Sequence, residues 1–204
     1  YGRFILMYPK VLEELISCFK KYPTIGEKSA ERLALATLDL SEDELNNFSN
    51  TLIKAKRVLK PCKICCNLTD NEVCDICNDE TRDKNLICVV EDYKSLISFE
   101  KAGNYKGVYH VLNGLISPID NISPQDINIS SLVKRIEKLD KPEIIIALRS
   151  SIEGQTTTLY IKQIFENKGV TISRLSYGIP MGAEIDYLDV LTLDKALSDR
   201  KIIS

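Results

Sequence analysis

The stretch that decides how this chain is organised is residues 62–77, which read CKICCNLTDNEVCDIC. It contains two CxxC pairs, formed by Cys62, Cys65, Cys74 and Cys77. A CxxC turn brings two sulfurs close enough to share one ion, and four thiolates complete the tetrahedral shell that Zn²⁺ takes in structural sites. No ligand position would remain open to activate water. The spacing therefore predicts one structural Zn²⁺ per subunit.

Spacing alone leaves two other interpretations of the cysteines open, a pair of disulfides and unconnected free thiols. Disulfides persist in oxidising compartments, and the sequence shows no leader of the basic, apolar and cleavage-site type. Its longest apolar runs, such as residues 144–148, are too short to span a bilayer. We therefore expect a cytoplasmic protein with no membrane partner. The cysteines outside the motif are expected to be buried or bystander thiols: Cys18, Cys66 and Cys88.

Charge is distributed unevenly along the chain. The whole sequence of 204 residues carries a net charge of −2, which predicts no general affinity for nucleic acid. Residues 1–60 nevertheless hold ten Lys/Arg against eight Asp/Glu, whereas the remainder holds seventeen against twenty-one. Any contact with a polyanion is therefore expected in the N-terminal part.

The N-terminal part has the apolar periodicity of helices. A first helix is predicted over residues 10–22, and the break at Pro23 and Gly26 separates it from a second. Ser41 and Glu44 form an S-x-x-E capping box that predicts the start of a third. The faces expected to be buried are Ala30, Leu33, Ala34 and Leu38 in the second helix, and Leu45, Phe48, Leu52, Ala55 and Leu59 in the third.

After the cysteines, short apolar runs alternate with helical patterns. Strands are predicted at residues 87–90, 108–112, 143–148 and 170–175, and helices at about 93–102, 132–139 and 153–168. This alternation predicts a parallel sheet with helices on both faces, and the most apolar strand, 143–148, is expected to be central. Residues 113–129 form a polar loop whose role the sequence does not reveal.

Residues 23–32, PTIGEKSAER, form a tight turn that enters the second helix. The free backbone N–H groups of such a helix start bind phosphate and read no base sequence. Lys28 and Arg32 are four residues apart, hence on one helix face, and could both neutralise phosphates. By pattern alone, an ordinary turn with solvated charges is an equally good interpretation.

Six motifs, in order along nearly the whole chain, resemble the bacterial recombination mediator family RecR. The turn at residues 23–32 resembles its helix–hairpin–helix, the cysteine stretch its zinc finger, and residues 87–91 the start of its Toprim domain. The remaining three lie at residues 152–154 with the Thr-rich segment that follows, 178–184 and 192–200.

The resemblance implies an α+β multidomain fold. It comprises a helical region with the helix–hairpin–helix (7–60), a four-cysteine zinc finger (61–80), a Toprim-like α/β parallel-sheet domain (85–181) and a C-terminal extension that contacts other subunits (182–204). It also implies a non-enzymatic mediator of DNA repair that acts at the nucleoid and is assembled as a ring or clamp, expected to be a tetramer. The mediator would bind single- or double-stranded DNA through Gly26, Lys28 and Arg32, and would load recombinase at single-stranded gaps with RecO and RecF.

Catalytic Toprim domains hold Mg²⁺ with an acid after the first strand and an Asp-x-Asp pair after a later one. Glu91 fills the first place, but the loop after residue 148 contains no Asp, and only Glu153 follows. We therefore expect a domain without catalysis, and the resemblance assigns its acids, Glu91 and Glu153, to the binding of a protein partner. Two departures from the family pattern are Thr24, where the family has glycine, and Arg149, where it has a polar loop.

Two alternatives stay open at this stage. One is a Mg²⁺-dependent Toprim nuclease or primase-like enzyme that uses Glu91 and Glu153, which the missing Asp-x-Asp pair disfavours. The other is a zinc-ribbon interaction module of transcription or translation, which explains the cysteines but not the turn at residues 23–32. The sequence has no P-loop. Its single histidine, His110, lies in an apolar strand and is expected to be structural rather than catalytic.

Overall fold

The computed structural model describes residues 8–176, 179–180 and 182–200. The chain separates into two compact units, Tyr1–Val58 and Leu59–Ser204. Within the described ranges, no helix has both the length and the apolar character needed to cross a membrane. Residue 7, with which the predicted helical region begins, lies outside these ranges, as do residues 178 and 181 of the loop motif near the C-terminus.

The first unit is helical. Helix α1 spans Lys10–Phe19, α2 spans Glu27–Thr37 and α3 spans Glu42–Val58. Helices α1 and α2 pack against each other around Ile16, Ala30 and Ala34. The two alanines are fully buried, and their small side chains let the helix backbones approach closely. The predicted helices are therefore confirmed, with α1 ending three residues earlier than expected. The expected face of α2 is only partly buried, because Leu33 and Leu38 are 40% and 65% exposed.

Helix α3 begins as predicted but does not bury the predicted face. The Ser41 amide donates to Glu44 Oε2 at 2.9 Å and the Glu44 amide donates to Ser41 Oγ at 3.3 Å, which is the reciprocal pattern of a capping box. No residue of α3 is buried, and Phe48 and Leu52 are 49% and 46% exposed. The prediction that this face is buried was therefore wrong within the single chain. Helical periodicity identifies the apolar face of a helix but does not show what covers it.

The second unit begins with the four-cysteine finger. Strands β1 (Lys60–Pro61) and β2 (Leu68–Thr69) pair antiparallel, and the short helix α4 spans Asp75–Asn78.

The rest of the second unit is an α/β sheet domain. Its strands are β3 (Asp83–Val90), β4 (Gly107–Val111), β5 (Glu143–Ala147) and β6 (Thr171–Arg174). They lie in the order β4-β3-β5-β6 and every neighbouring pair is parallel. Both the parallel sheet and the interior position of residues 143–148 are therefore confirmed.

Helices cover both faces of this sheet. They are α5 (Tyr93–Ala102), α6 (Ile129–Ile136) and α7 (Ile152–Phe165). One core cluster gathers side chains of α6 and α7 with alternate residues of the strands, and a second gathers Leu96 of α5 with the intervening ones. Because successive side chains of a strand point to opposite faces, residues 87–90 can serve both clusters.

The ends of two helices differ from the prediction. Helix α7 ends at Phe165 rather than residue 168, because Glu166 already leaves the helical conformation (φ −57°, ψ 130°), and Glu166 and Asn167 form a turn in which the Lys168 amide donates to the Phe165 carbonyl at 3.2 Å. Helix α6 ends at Ile136, and the predicted continuation to residue 139 is a turn in which the Leu139 amide donates to the Ile136 carbonyl at 3.0 Å. After β6, a 3₁₀ turn at Ile185–Tyr187 precedes helix α8, Val190–Ser198.

Capped helix starts line the carboxyl edge of the sheet. Asp92 Oδ1 accepts from the Ser95 amide at 2.8 Å to start α5, and Ser151 Oγ accepts from the Gly154 amide at 3.2 Å to start α7. A Cβ at Gly154 would overlap the carbonyl oxygen of Arg149, so only glycine lets α7 begin this close to the end of β5. The caps therefore fix where the side chains that follow β3 and β5 lie.

His110 lies in the core, one of the two noncatalytic positions, core or surface, that the sequence allowed. It is fully buried, and its Nε2 lies 2.9 Å from the Asn128 carbonyl oxygen, so Nε2 carries the proton. Its Nδ1 has no hydrogen-bond partner among the described residues. Burial lowers the pKa of His110 to about 4, since a charged imidazole loses its hydration there.

We predict that His110 makes stability depend on pH. The unfolded chain binds a proton near pH 6.5 and the folded chain only near pH 4, so this stabilisation is full above pH 6.5 and is lost as the pH falls through that window. The loss amounts to about 3 kcal/mol in the free energy of unfolding. Urea unfolding across this range should show a shallower pH dependence for His110→Gln than for the unchanged protein. Carboxylates titrate equally in both proteins and so do not affect the difference between them. If the free energy of unfolding of the two proteins depended on pH in the same way, His110 would not be the group responsible.

Candidate functional sites

Two local structures converge on the four cysteines of the finger. In the first pair, the Cys62 amide donates to the Asn67 carbonyl at 2.7 Å, and the Cys66 amide donates to the Cys62 carbonyl at 3.0 Å. Cys66 takes φ 61°, which closes the turn behind the two sulfurs. In the second pair, Cys74 is the residue before α4 and Cys77 lies within it. A tight turn and a helix start thus present two sulfurs each.

The four sulfurs fit one tetrahedral metal ion. The Sγ atoms of Cys62, Cys65, Cys74 and Cys77 all lie within 4.8 Å of one another. Sulfurs of a tetrahedral zinc site with Zn–S bonds of about 2.3 Å stand about 3.8 Å apart. All four residues are buried, and the Cys74 amide donates to Cys62 Sγ at 3.3 Å, a bond that stabilises a thiolate.

The other interpretations of the cysteines do not fit this geometry. None of the seven cysteines forms a disulfide, and Cys65 Sγ lies 3.5 Å from Cys74 Sγ, far beyond the disulfide bond length of about 2.05 Å. Four buried sulfurs within 4.8 Å of one another are also not unconnected thiols. Hydrogen bonds from the thiols of Cys65 and then Cys77 lower the pKa of Cys74, whereas hydrogen bonds to Cys74 and Cys77 raise the pKa of Cys65. The four cysteines hold one structural zinc, as predicted.

The finger is fastened to the sheet domain. The Val111 amide at the end of β4 donates to the Cys65 carbonyl at 2.8 Å, and Lys84 Nζ on β3 donates to the Cys77 carbonyl at 3.0 Å. Cys66 Sγ also lies 3.5 Å from Ser131 Oγ on α6. Each cysteine pair is therefore tied to the sheet domain, so a metal that orders the finger also orders its contacts with β3, β4 and α6.

We predict one zinc per chain, lost in Cys62→Ala or Cys77→Ala. Without the metal, residues 60–79 should lose hydrogen-exchange protection while the strands of the sheet keep theirs, because those strands have an apolar core of their own. Metal analysis and hydrogen exchange measure the two effects. Cys66→Ala is the matched control, since it removes a neighbouring thiol outside the cluster and should retain zinc. Freshly purified, reduced protein without stoichiometric zinc would contradict the assignment.

The turn before α2 is of a type that favours glycine at residue 24. The Ile25 amide donates to the Tyr22 carbonyl at 3.3 Å across Pro23 and Thr24. Thr24 takes φ 70°, the positive value that the third residue of a type II turn needs. A β-branched residue is strained in this conformation. The departure at Thr24 therefore adds strain to the turn while keeping its path.

The residues predicted to contact DNA lie together at the start of α2. Gly26 precedes the helix, with no side-chain cap, in an extended conformation that other residues also adopt. A Cβ there would meet no atom within 4 Å, so this glycine leaves open space in front of the first amides of α2. Lys28 and Arg32 are exposed and form no ion pair within the described ranges, whereas Glu27 pairs with Lys20. This surface thus combines free amides with two unmatched cations.

The two acids predicted to bind a partner lie at the carboxyl edge of the sheet. Glu91 follows β3 and Glu153 lies in the first turn of α7. Burial raises the pKa of Glu91; the Arg149 guanidinium opposes the rise, and the charges of Asp92 and Glu153 add to it. The Ser151 hydroxyl lowers the pKa of Glu153 by hydrogen bonding. The two acids are thus close enough to interact, and each has a different environment.

Arg149 pairs with Glu91, with Nη2 and Oε1 2.8 Å apart. From the sequence, this arginine stood out only as a departure from the family pattern and had no role. A usable signal was present, because β5 and β3 are adjacent parallel strands and the residues that follow them meet at one edge. Within residues 8–176, 179–180 and 182–200, the only group of three or more potential ligands placed to hold a metal is the cysteine cluster.

The domain order agrees with models of known families. Matches are to the RecR helix-hairpin-helix at residues 12–56, the RecR four-cysteine zinc finger domain at 59–79, the Toprim domain at 85–176 and the RecR C-terminal piece at 178–201. Two curated relatives, "Recombination protein RecR" of Staphylococcus aureus strains MRSA252 and JH9, are each 44% identical over 193 residues, covering 95% of this chain and 98% of the relative. This chain belongs to the RecR family. The α+β multidomain fold and the role in DNA recombination are thereby established for it, and the finger is the family's zinc site.

Proposed function

We propose that this RecR family member is a non-enzymatic mediator of recombinational DNA repair. It binds single- or double-stranded DNA without sequence specificity, as an oligomeric clamp, and promotes recombinase loading at single-stranded gaps together with RecO and RecF. The observation that carries the proposal is the surface at the start of α2, where Gly26, Lys28 and Arg32 lie open and the two cations are unmatched by acids. Such a surface suits phosphate and reads no base.

Exposed apolar faces support the oligomer. Neither α3 nor α8 has a buried residue among those described. Helix α3 exposes Phe48 and Leu52, and helix α8 exposes Val190 and Leu197. Apolar faces of this kind cover one another in assemblies. Several weakly basic hairpins held in one ring gain effective concentration without new contacts, which compensates for the acidity of each subunit. The tetramer, and the use of residues 182–204 as a subunit contact, follow from the resemblance.

The sheet domain is proposed to bind a partner rather than to catalyse. Glu91 and Glu153 would face a basic surface of RecO. In the unbound chain, Arg149 forms an ion pair with one carboxylate oxygen of Glu91. A Mg²⁺-dependent nuclease or primase needs several carboxylates around one ion; here Asp92 caps α5 and Arg149 faces Glu91. The donor set therefore favours docking over phosphoryl transfer. The proposed domains remain 7–60, 61–80, 85–181 and 182–204.

We predict that Lys28→Ala and Arg32→Ala each weaken DNA binding at low salt. Each phosphate that is no longer neutralised should reduce the slope of log K against log salt by about 0.9 on duplex DNA. Fluorescence anisotropy with a labelled duplex, titrated at several salt concentrations, measures both effects. Lys101→Ala and Lys162→Ala remove the same charge from exposed positions on α5 and α7 and should bind like the unchanged protein. If all four variants bind alike, the hairpin assignment is wrong.

We predict opposite effects of the acids and of Arg149 on RecO binding. Glu91→Gln and Glu153→Gln should weaken it, and Arg149→Ala should strengthen it, because Arg149 competes for Glu91. The pair is exposed enough for each change to be about two- to fivefold in Kd, the size of an exposed ion pair. Calorimetry with purified RecO measures this, with Glu137→Gln on the end of α6 as a control. Equal weakening by Arg149→Ala would show that the pair acts only structurally.

A further inference from the structure

A basic groove lies between the zinc finger and helix α6, within the second unit. Its volume is about 590 Å³. Of the residues that the structure describes, five cations and no carboxylate line it; the cations are Lys63, Lys84, Lys134, Arg135 and Lys138. This is unexpected in a chain of net charge −2, whose charge distribution predicted polyanion contacts only in the N-terminal part. We propose that this groove is a second nucleic-acid contact, which takes the phosphodiester backbone of single-stranded DNA.

Two of the five cations are already committed to the finger. Lys63 pairs with Glu72, and Lys84 donates to the Cys77 carbonyl at 3.0 Å and to the Asp79 carbonyl. Four thiolates around one Zn²⁺ keep an excess of negative charge, so a cation at this position is also explained by the metal site. The charge that needs another explanation is therefore on the α6 side of the groove.

Lys134, in the last turn of α6, and Lys138, in the turn that follows, have no ion pair in the described part of the chain, and both are exposed. A cation at a helix C-terminus stabilises the helix by roughly 0.3–1 kcal/mol. This effect explains why one lysine lies at the end of α6, but it does not explain why the lysines border a groove. Here both ammonium groups border a cavity, and no acid lines the opposite wall. A polyanion seated in the groove would supply the missing negative charge.

The donors in the groove favour a diester backbone over a carboxylate or a terminal phosphate. Arg135 is half-buried and donates from Nη1 to the Tyr109 carbonyl at 2.6 Å, so part of its guanidinium is already engaged with β4. The free donors are lysines, which act as point charges without directional demands. Ile64 and Leu139 add apolar wall beside them, suited to sugar or base faces. Together these features favour nonspecific single strands over an acidic peptide.

The test compares Lys134→Glu/Lys138→Glu with the charge-matched control Lys101→Glu/Lys162→Glu, in the full-length, zinc-loaded protein. Anisotropy with a fluorescein-labelled oligothymidylate should show binding weakened by about tenfold at about 50 mM salt for each phosphate that the groove variant no longer holds. The salt slope should also fall by about 0.7 for each such phosphate. Equal binding by the two variants would overturn the proposal. The hairpin variants are separate, so the two DNA contacts can each fail or succeed without the other.

Two further measurements separate the other occupants. If the groove variant loses binding of labelled oligoglutamate but not of DNA, the groove takes an acidic peptide and the proposal is wrong. If its molar mass in solution falls below that of the control, the groove contacts another subunit and the proposal is also wrong. Acetylation footprinting uses the unchanged protein and therefore does not depend on the folding of a variant. The bound oligonucleotide should protect Lys134 and Lys138, but not Lys101, from acetylation. If the groove lysines are acetylated equally with and without the oligonucleotide, the proposal is wrong.

Discussion

The convergence of four sulfurs is the constraint on which the second unit depends. The finger has two strands of two residues each and a helix of four, too little to bury an apolar core. Its buried cluster consists of the four cysteines themselves, with Val73 and Ile76 packed beside them. Zinc binding to such peptides contributes about 10–16 kcal/mol, so metal coordination takes the place that apolar burial has elsewhere. The same turns that aim the sulfurs also offer the Cys65 and Cys77 carbonyls to β4 and β3.

Local chemistry was readable from the sequence wherever one short pattern determines the structure. The capping box at Ser41 and Glu44, the CxxC pairs and the left-handed glycine at residue 103 that ends α5 each depend on a few neighbouring residues. The parallel sheet was predictable because short apolar runs alternate with helical patterns along the chain. A strand that is apolar on both faces must be covered on both faces, as in a parallel sheet. Hence the elements and their order were predictable, and the ends of α6 and α7 were not.

What the sequence could not reveal is what covers each apolar face and which charges meet. The periodic residues of α3 were assigned to a core, yet Phe48 and Leu52 are half exposed, because α1 and α2 already bury each other. Arg149 looked like an isolated departure until the adjacent strands β3 and β5 brought it to Glu91. For Arg149 the deciding partner is distant in sequence. A family pattern carries such information, whereas periodicity does not.

Net charge hides local arrangements of the same kind. An overall charge of −2 averages over surfaces that a polyanion never meets together. At the start of α2, Glu27 turns to Lys20 and so leaves Lys28 and Arg32 without acids. In the groove, Glu72 is held by Lys60 and Lys63, and neighbouring acids of the finger do not reach Lys134 or Lys138. Internal ion pairs thus remove acids from the places where phosphate would approach. Because exposed pairs contribute roughly 0–1 kcal/mol each, this arrangement gains little stability, and its main consequence is the electrostatic shape of the surface.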